Sequence, residues 1–251
     1  MFKEIKARLA PFRLQERVYE PELMDDPGGD QRLLFRTLKQ FERINPLVTP
    51  NRRVLRQFVL SDMERGMTAS LLDIGAGGGD FARWAVDQAR RRGLTLRVVC
   101  IDNDERVARF CRNACRDYPE IETRCMSFED VTEQFDYVFC NHVVHHFTEK
   151  QVAAFFDAAF HITRRRLIVS DLRRVWWAVH GFRLLATFAF RDSFARKDGP
   201  ASIRRAFRAE EIAPVIRDSK WGTAARVRCL FPARLLLIAD HETTGLPTGL
   251  A

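Results

Sequence analysis

Leu71-Leu72-Asp73-Ile74-Gly75-Ala76-Gly77-Gly78-Gly79-Asp80-Phe81-Ala82 decides how the chain is read: an apolar strand enters a glycine-rich turn, and the turn opens into a helix. Glycine takes positive φ and lets a ligand approach the backbone, so a turn of this kind binds as well as connects. A dinucleotide fingerprint, G-x-G-x-x-G counted from Gly75, needs its third glycine at position 80, which is Asp80. The nicotinamide-dinucleotide reading fails on that register. The residues satisfy Asp-x-Gly-x-Gly-x-Gly instead, with Asp73 at the strand end and glycines at 75, 77 and 79. An acid at that place suits a ligand that brings a cationic amino group rather than a pyrophosphate.

Working outward, the next apolar run, Val98-Val99-Cys100-Ile101, ends in Asp102, 23 residues beyond Gly79, with Asn103 after it. An acid at about that distance is placed to accept both hydroxyls of a ribose. Short apolar runs at 70–74, 97–101, 135–140 and 167–170 alternate with amphipathic stretches at 80–92, 105–117 and 149–162, which predicts a parallel sheet covered on both faces. After a helix at about 209–218, strands at 225–231 and 234–239 are joined at Pro232-Ala233, a hairpin that leaves one antiparallel member in the sheet.

The flanks differ from this core. Residues 1–68 read as an N-terminal helical cap, with Leu33, Leu34, Leu38, Phe41 and Ile44, then Val54, Leu55, Phe58 and Val59, spaced for one helix face each. Pro21, Asp25 to Gly29 and Asn45-Pro46 read as breakers. Residues 69–172 form the α/β core, 173–207 an inserted segment, and 208–251 the closing helix and hairpin. The insert begins with an aromatic stretch, Arg173–Phe190, followed by a polar loop at 191–202. Arg173, Arg174, Arg183 and Arg191 interrupt it too often for a membrane span, which needs about 20 apolar residues. It reads equally as core packing or as a helical lid over a lipophilic pocket, with peripheral contact to a membrane left open.

Composition bounds the rest. The 251 residues are 46% hydrophobic and 29% charged, which excludes disorder and predicts a sizeable core. The net charge is +8, yet only six of the 41 basic residues are lysines and the arginines are scattered, which argues for a compositional bias and against a nucleic-acid partner. Met1-Phe2-Lys3-Glu4-Ile5-Lys6 is no secretory leader, so a cytoplasmic protein is expected. Six cysteines lack the spacing of a disulfide framework and read as reduced, mostly buried thiols. Cys111 and Cys115 fall two ligands short of a metal site, and no acid or cysteine pairs obviously with His142-x-x-His145, so no metal is expected.

The glycine turn and the acid at 102 together resemble the class I S-adenosylmethionine (SAM) dependent methyltransferases, from about Ser70 to Asp171. The resemblance implies a Rossmann-like, seven-stranded, mostly parallel sheet with SAM as cofactor. It implies that Asp73 lies near the methionine part of SAM, that Gly75, Gly77 and Gly79 shape the turn beneath it, and that Asp102 with Asn103 holds the ribose. The adenine would lie against Ser127 and Phe128, although Met126-Ser127 replaces the family's usual Gly-Asp. The fourth strand runs into Asn141-His142-Val143-Val144-His145-His146-Phe147, where the family often writes a pair of histidines; Asn141 is assigned to the cofactor side. The absence of Asn-Pro-Pro-Tyr argues against methylation of amide or base nitrogens.

Positioning supplies much of the acceleration in methyl transfer, but a hydroxyl acceptor also needs a base. His145 is the expected base with His142 next, while His146 is expected to pack at the helix start. Tyr19 to Asp25, Ser170 to Arg174 and Lys197 to Phe207 resemble a bacterial subgroup near the ubiquinone and menaquinone biosynthesis methylases (methyltransferase type 11), associated with polyketide and phenolic-lipid pathways. That implies a small aromatic or phenolic acceptor, methylated at oxygen, with carbon methylation of a quinol ring as the nearest rival. A SAM-fold module without catalysis, or one that holds RNA, is the rival of another class. The oligomeric state is not legible.

Overall fold

β1 (Thr68–Ile74), β2 (Thr95–Asp102), β3 (Ile121–Cys125), β4 (Phe135–Asn141) and β5 (Thr163–Leu172) run parallel to their neighbours in the computed structural model, which describes residues 14 and 16–241. β6 (Ala225–Leu230) and β7 (Arg234–Asp240) complete a seven-stranded sheet in the order β3-β2-β1-β4-β5-β7-β6. β7 is antiparallel to both β5 and β6, so it alone is reversed, as the hairpin at 232–233 predicts. The central strands are apolar on both faces because both faces are covered. Leu71 packs with Ala82, Val86 and Phe139 on one side, whereas its neighbour Leu72 packs with Val152, Phe156 and Val169 on the other.

The covering helices follow the expected alternation. α1 (Gln31–Val48) and α2 (Asn51–Phe58) precede the sheet; α3 (Asp80–Arg91), α4 (Glu105–Ala114) and α5 (Glu149–Ile162) connect its strands. Asp30 caps α1 by accepting from the Arg32 and Leu33 N–H groups, and Thr148 with Gln151 forms a capping box on α5. The chain order reverses between β1 and β4, and the strand ends at Ile74, Asp102, Asn141 and Leu172 open on one side there. Such a switch point leaves a crevice that helices cannot fill.

Three expectations need correction. The polar loop at 191–202 is mostly helix: α7 (Ala195–Arg205) runs through Gly199 and Pro200 and packs on α6 (Trp176–Ala189). Packing overrides propensity there, since a Cβ on Gly199 would fall 2.0 Å from Phe182 Cε1, and the Asp198 carboxylate accepts the Leu23 and Met24 N–H groups at 3.0 Å each. Asn45-Pro46 does not break α1, which continues to Val48; Pro46 sits in the last turn, where one lost N–H costs least. Within the expected N-terminal cap, residues 16–22 are irregular and Leu23–Asp25 is a single 3₁₀ turn, the first helical element among the described residues. Residues 1–13, including the Met1–Lys6 stretch, lie outside the described residues.

α6 carries the insert's two faces. Ala178, Val179 and Ala186 are buried and Phe182 is half-buried, while Trp177, Leu184 and Phe188 are exposed. Its inner face packs against α7, and Phe182 on that face also lines a cavity. No described helix is long and apolar enough to cross a membrane. α8 (Ala209–Arg217) closes the far face of the sheet against α5.

Candidate functional site

A cavity of about 760 Å³ lies over the switch point, within the roughly 300–1,000 Å³ usual for small-molecule sites. Its floor is the glycine turn. The Gly75 and Ala76 N–H groups both donate to Ile101 O, at 2.9 and 3.1 Å, which ties the turn to β2. The three glycines then part ways. Gly77 has φ +55° and its missing Cβ would meet nothing of the protein closer than Leu38 Cδ2 at 4.0 Å, so the bare backbone faces the cavity. At Gly75 the Cβ would fall 2.4 Å from Val143 Cγ2. Gly79 lies outside the cavity lining and is hemmed by Cys111 and Cys115 Sγ, 2.7 Å from where its Cβ would be, so it opens α3 and packs.

Two acids stand at the strand ends above this floor. Asp73 is buried, its Oδ2 has no hydrogen-bond partner, and burial beside Asp80 pushes its carboxyl well up from the usual range. Asp102 accepts from the Gly77 N–H at 3.3 Å and the Asp104 N–H at 3.1 Å. Burial raises it to about 6 against those two donors. Asn103, Ser127 and Phe128 line the same end of the cavity. The Phe128 ring leans on Phe155 of α5 at 4.8 Å, which fixes a flat apolar wall next to the acid.

The opposite end is polar only at its deepest point. His142 has φ +59°, a left-handed conformation uncommon for histidine, and its N–H donates to Ser170 O at 3.2 Å. Arg234 donates to His142 Nε2 and, at 2.6 Å, to Asn141 Oδ1. Because guanidinium only donates, Nε2 is the acceptor and the His142 proton is on Nδ1. Burial and the Arg234 cation hold the His142 pKa well below its ordinary value. Arg234 is itself buried, which lowers it to about 10, so it stays cationic at neutral pH. Asn141, expected on the cofactor side, thus has its oxygen engaged by Arg234.

His145 is placed differently. It is 2% exposed; its N–H donates to Asp171 Oδ2 at 3.0 Å and its Nδ1 lies 2.7 Å from Asp171 Oδ1. Nε2 has no hydrogen-bond partner, and Glu22 Oε1 is 3.4 Å from it. Burial alone would lower this imidazole, but Asp171 and Glu22 outweigh it and push it up to about 9. Burial would raise Asp171, and His145 with Arg234 holds it far below the carboxylate range. His146, half-buried, sits 3.3 Å from Asp25 and 3.8 Å from Glu22. The turn is clamped from outside by Arg17, which donates to His145 O at 3.0 Å and Phe147 O at 2.8 Å.

The sequence reading brought Asp73, Gly75, Gly77, Asp102, Asn103, Ser127, Phe128, Asn141, His142 and His145 to the cavity, and all ten line it. Arg234 carries no role in that reading, and Glu22, Asp171 and Asp198 enter it only inside stretches that carry the family likeness. Arg234 had a signal: it precedes five apolar residues, Leu235 to Ala239, at the start of a buried strand, where a charge is out of place unless partnered. The thiols match their expectation, with Cys100, Cys111, Cys115 and Cys140 buried, Cys125 and Cys229 exposed, and all six free.

Residues 71–166 match the family model of a methyltransferase domain. No curated protein matches the chain. Among solved structures, a SAM-dependent methyltransferase from Aquifex aeolicus is similar in fold, with a TM-score of 0.57 and 14% identity over 82% of this chain and 97% of that one. Human N-acetylserotonin methyltransferase in complex with SAM gives 0.62 and 11%, over 89% and 60%. Magnesium protoporphyrin IX methyltransferase from Synechocystis PCC 6803 with bound SAH gives 0.53 and 14%, over 84% and 99%. At these identities the likeness is one of fold.

Proposed function

We propose that the chain is a SAM-dependent methyltransferase that methylates a small aromatic or phenolic acceptor at oxygen. One arrangement carries this reading: a buried acid with an unpartnered oxygen, a bare glycine backbone and a second acid share one end of a cavity whose other end holds an imidazole set between two carboxylates. Asp73 fits the α-amino group of SAM, which would supply the countercharge its Oδ2 lacks. Gly77 leaves room for the methionine part, and Asp102 fits the ribose hydroxyls, with Ser127 and Phe128 toward the adenine. SAM, when bound, supplies an electrophilic methyl carbon on a sulfonium.

The chain's own residues do the rest. Phe41, Phe182 and Ile203 line the cavity toward the acceptor end and exclude water from a flat apolar ring. A hydroxyl must give up its proton, and His145 Nε2 takes it in the neutral form of the imidazole, whose share grows as pH rises toward about 9, with Asp171 accepting from Nδ1–H. His142, whose Nε2 is engaged by Arg234, orients rather than accepts. The resemblance to quinone-biosynthesis methylases and to a polyketide and phenolic-lipid subgroup supports an aromatic ring as acceptor; the free thiols suit a reducing cytoplasm.

The reading is tested by calorimetric titration with SAM, followed by transfer of labelled methyl to a panel of phenols, quinols and total RNA. Saturable SAM binding with label on a phenol oxygen is the expected result. Label on a quinol ring carbon would move the reaction to the rival, label on RNA would overturn the substrate class, and binding without transfer to anything would leave a non-catalytic SAM module.

A further inference from the structure

The deepest point of the acceptor end holds more ligand atoms than a base requires. Glu22 Oε1 stands 3.4 Å from His145 Nε2 and 3.8 Å from His146 Nε2, and one ligand atom from each of the three residues lies within 4.8 Å of the other two. Around an ion bonded at about 2.0–2.2 Å, neighbouring ligand atoms sit roughly 3–3.5 Å apart, so small side-chain rotations would close the set.

Two further observations point the same way. His145 is 2% exposed, and its Nε2 makes no hydrogen bond of good geometry; what faces it is the Glu22 carboxylate at 3.4 Å, a second ligand-type atom. On its other side Asp171 Oδ1 holds Nδ1 at 2.7 Å, the carboxylate–histidine arrangement that orients an imidazole toward a metal.

We propose that Glu22, His145 and His146 form a divalent-cation site at the acceptor end of the cavity. Two imidazoles and one carboxylate on one side of an ion leave positions open to a ligand from the cavity, the pattern of sites that act on bound oxygen. Asp25 Oδ2, 3.3 Å from His146 Nδ1, orients the second imidazole as Asp171 orients the first. Arg205, 3.6 Å from Glu22 Oε1, and Arg17, which donates to His145 O at 3.0 Å, are cations set against the ion, and the carboxylates of Glu22, Asp25 and Asp171 offset them. The inference deepens the methyl-transfer reading and rests on it for one consequence. An acceptor hydroxyl on the open position would lose its proton to water, its oxygen keeping the electron pair, because a cation lowers the pKa of an oxygen bound to it. Nε2 would then hold the ion in place of a proton, and the hydroxyl would need no separate base. A catechol-like or hydroxyaryl-carbonyl acceptor, able to offer two oxygens, becomes the favoured class.

The test uses the full chain, stripped with EDTA and dialysed, and cobalt(II) chloride as the probe, followed by calorimetry and by visible absorption. One cobalt per chain with a d–d band is expected. His146→Ala, at a half-buried position that tolerates truncation, should weaken uptake at least about tenfold, and Asp171→Asn by about 10–100-fold. SAM is titrated into the same samples. Normal SAM binding without saturable cobalt uptake, or uptake that neither His146→Ala nor Glu22→Gln changes, would overturn the cation site and leave the methyltransferase reading standing. Cobalt uptake without SAM binding would do the reverse.

Discussion

At the glycine-turn end, the residues facing the cavity come from one continuous stretch, 73–78, and from the ends of the next two strands in the sheet, 101–104 and 126–129. At the histidine end they come from Glu22, the 141–147 turn, Asp198 to Ile203 in α7, and Arg234 behind them, segments that meet only through the folded sheet and the lid. The first end is made by backbone geometry and the second by side chains from distant places. A turn built on positive-φ glycines tolerates few sequences, whereas a polar cluster assembled across long separations can be met in many ways. The donor end should therefore respond to change as a binding site, and the acceptor end as a chemical one.

Gly77→Val should have the largest effect. The protein has room for the side chain, whose Cβ would lie 4.0 Å from its nearest neighbour, but the space is the cofactor's. SAM binding should vanish in calorimetry, while a left-handed non-glycine residue costs the fold about 1–3 kcal/mol. A variant that binds SAM normally would detach the glycine turn from the donor. His145→Ala should lower kcat by about 10²-fold or more with SAM affinity intact. Because Asp171 and Glu22 push His145 up to about 9, wild-type turnover should rise toward that pH, and the deficit should narrow only above it, where the phenolate forms unaided. Equal loss at every pH would reduce the histidine to packing. Together these two variants break the comparison if binding falls in the second or only turnover in the first.

Asp102→Ala should weaken SAM binding by about 2 kcal/mol, roughly 30-fold, by removing the acceptor of two hydroxyls. The smallest effect is one of pH. Asp102 titrates at about 6 and binds the ribose hydroxyls best when ionised, so SAM affinity should fall as pH drops through that value, with the raised Asp73 adding a pH dependence of its own. At pH 5 about nine-tenths of the free carboxyl would carry a proton, so the loss should be close to tenfold. Titrations from pH 5 to 8 on the wild type and on Asp102→Asn check this, since the variant should show a flatter profile.

The legibility of the sequence divides along the same line. Asp73, Gly75, Gly77 and Asp102 could be read because their roles depend on local spacing that a strand–turn–helix unit imposes. Gly79 was assigned to the cofactor by its place in the same pattern, yet two thiols of α4 and its flank occupy its neighbourhood, contacts that come from outside the motif. At the other end, Glu22 sits in an irregular segment with no periodicity to mark it. The scattered arginines looked like compositional bias, and three of them are structural: Arg166 between Asp62 and Asp240, Arg174 against Glu211, and Arg234 against the 141–142 turn, each 2% exposed or less. The helix at 195–205 was hidden by Gly199 and Pro200, whose low propensity is outweighed by the contact with Phe182 and the Asp198 bonds to the Leu23 segment.

The central claim is that the end of the cavity with Asp73 and Asp102 receives SAM, cation first. Both carboxyls are raised in the free chain by burial, and a bound ammonium group and ribose favour their ionised forms. Calorimetric titration of SAM at pH 6, run in two buffers of different ionisation enthalpy, measures the protons exchanged on binding. One SAM per chain with net proton release is predicted, the release falling in Asp73→Asn and in Asp102→Asn. Absence of SAM binding, or binding with no proton release in the wild type, would contradict the assignment.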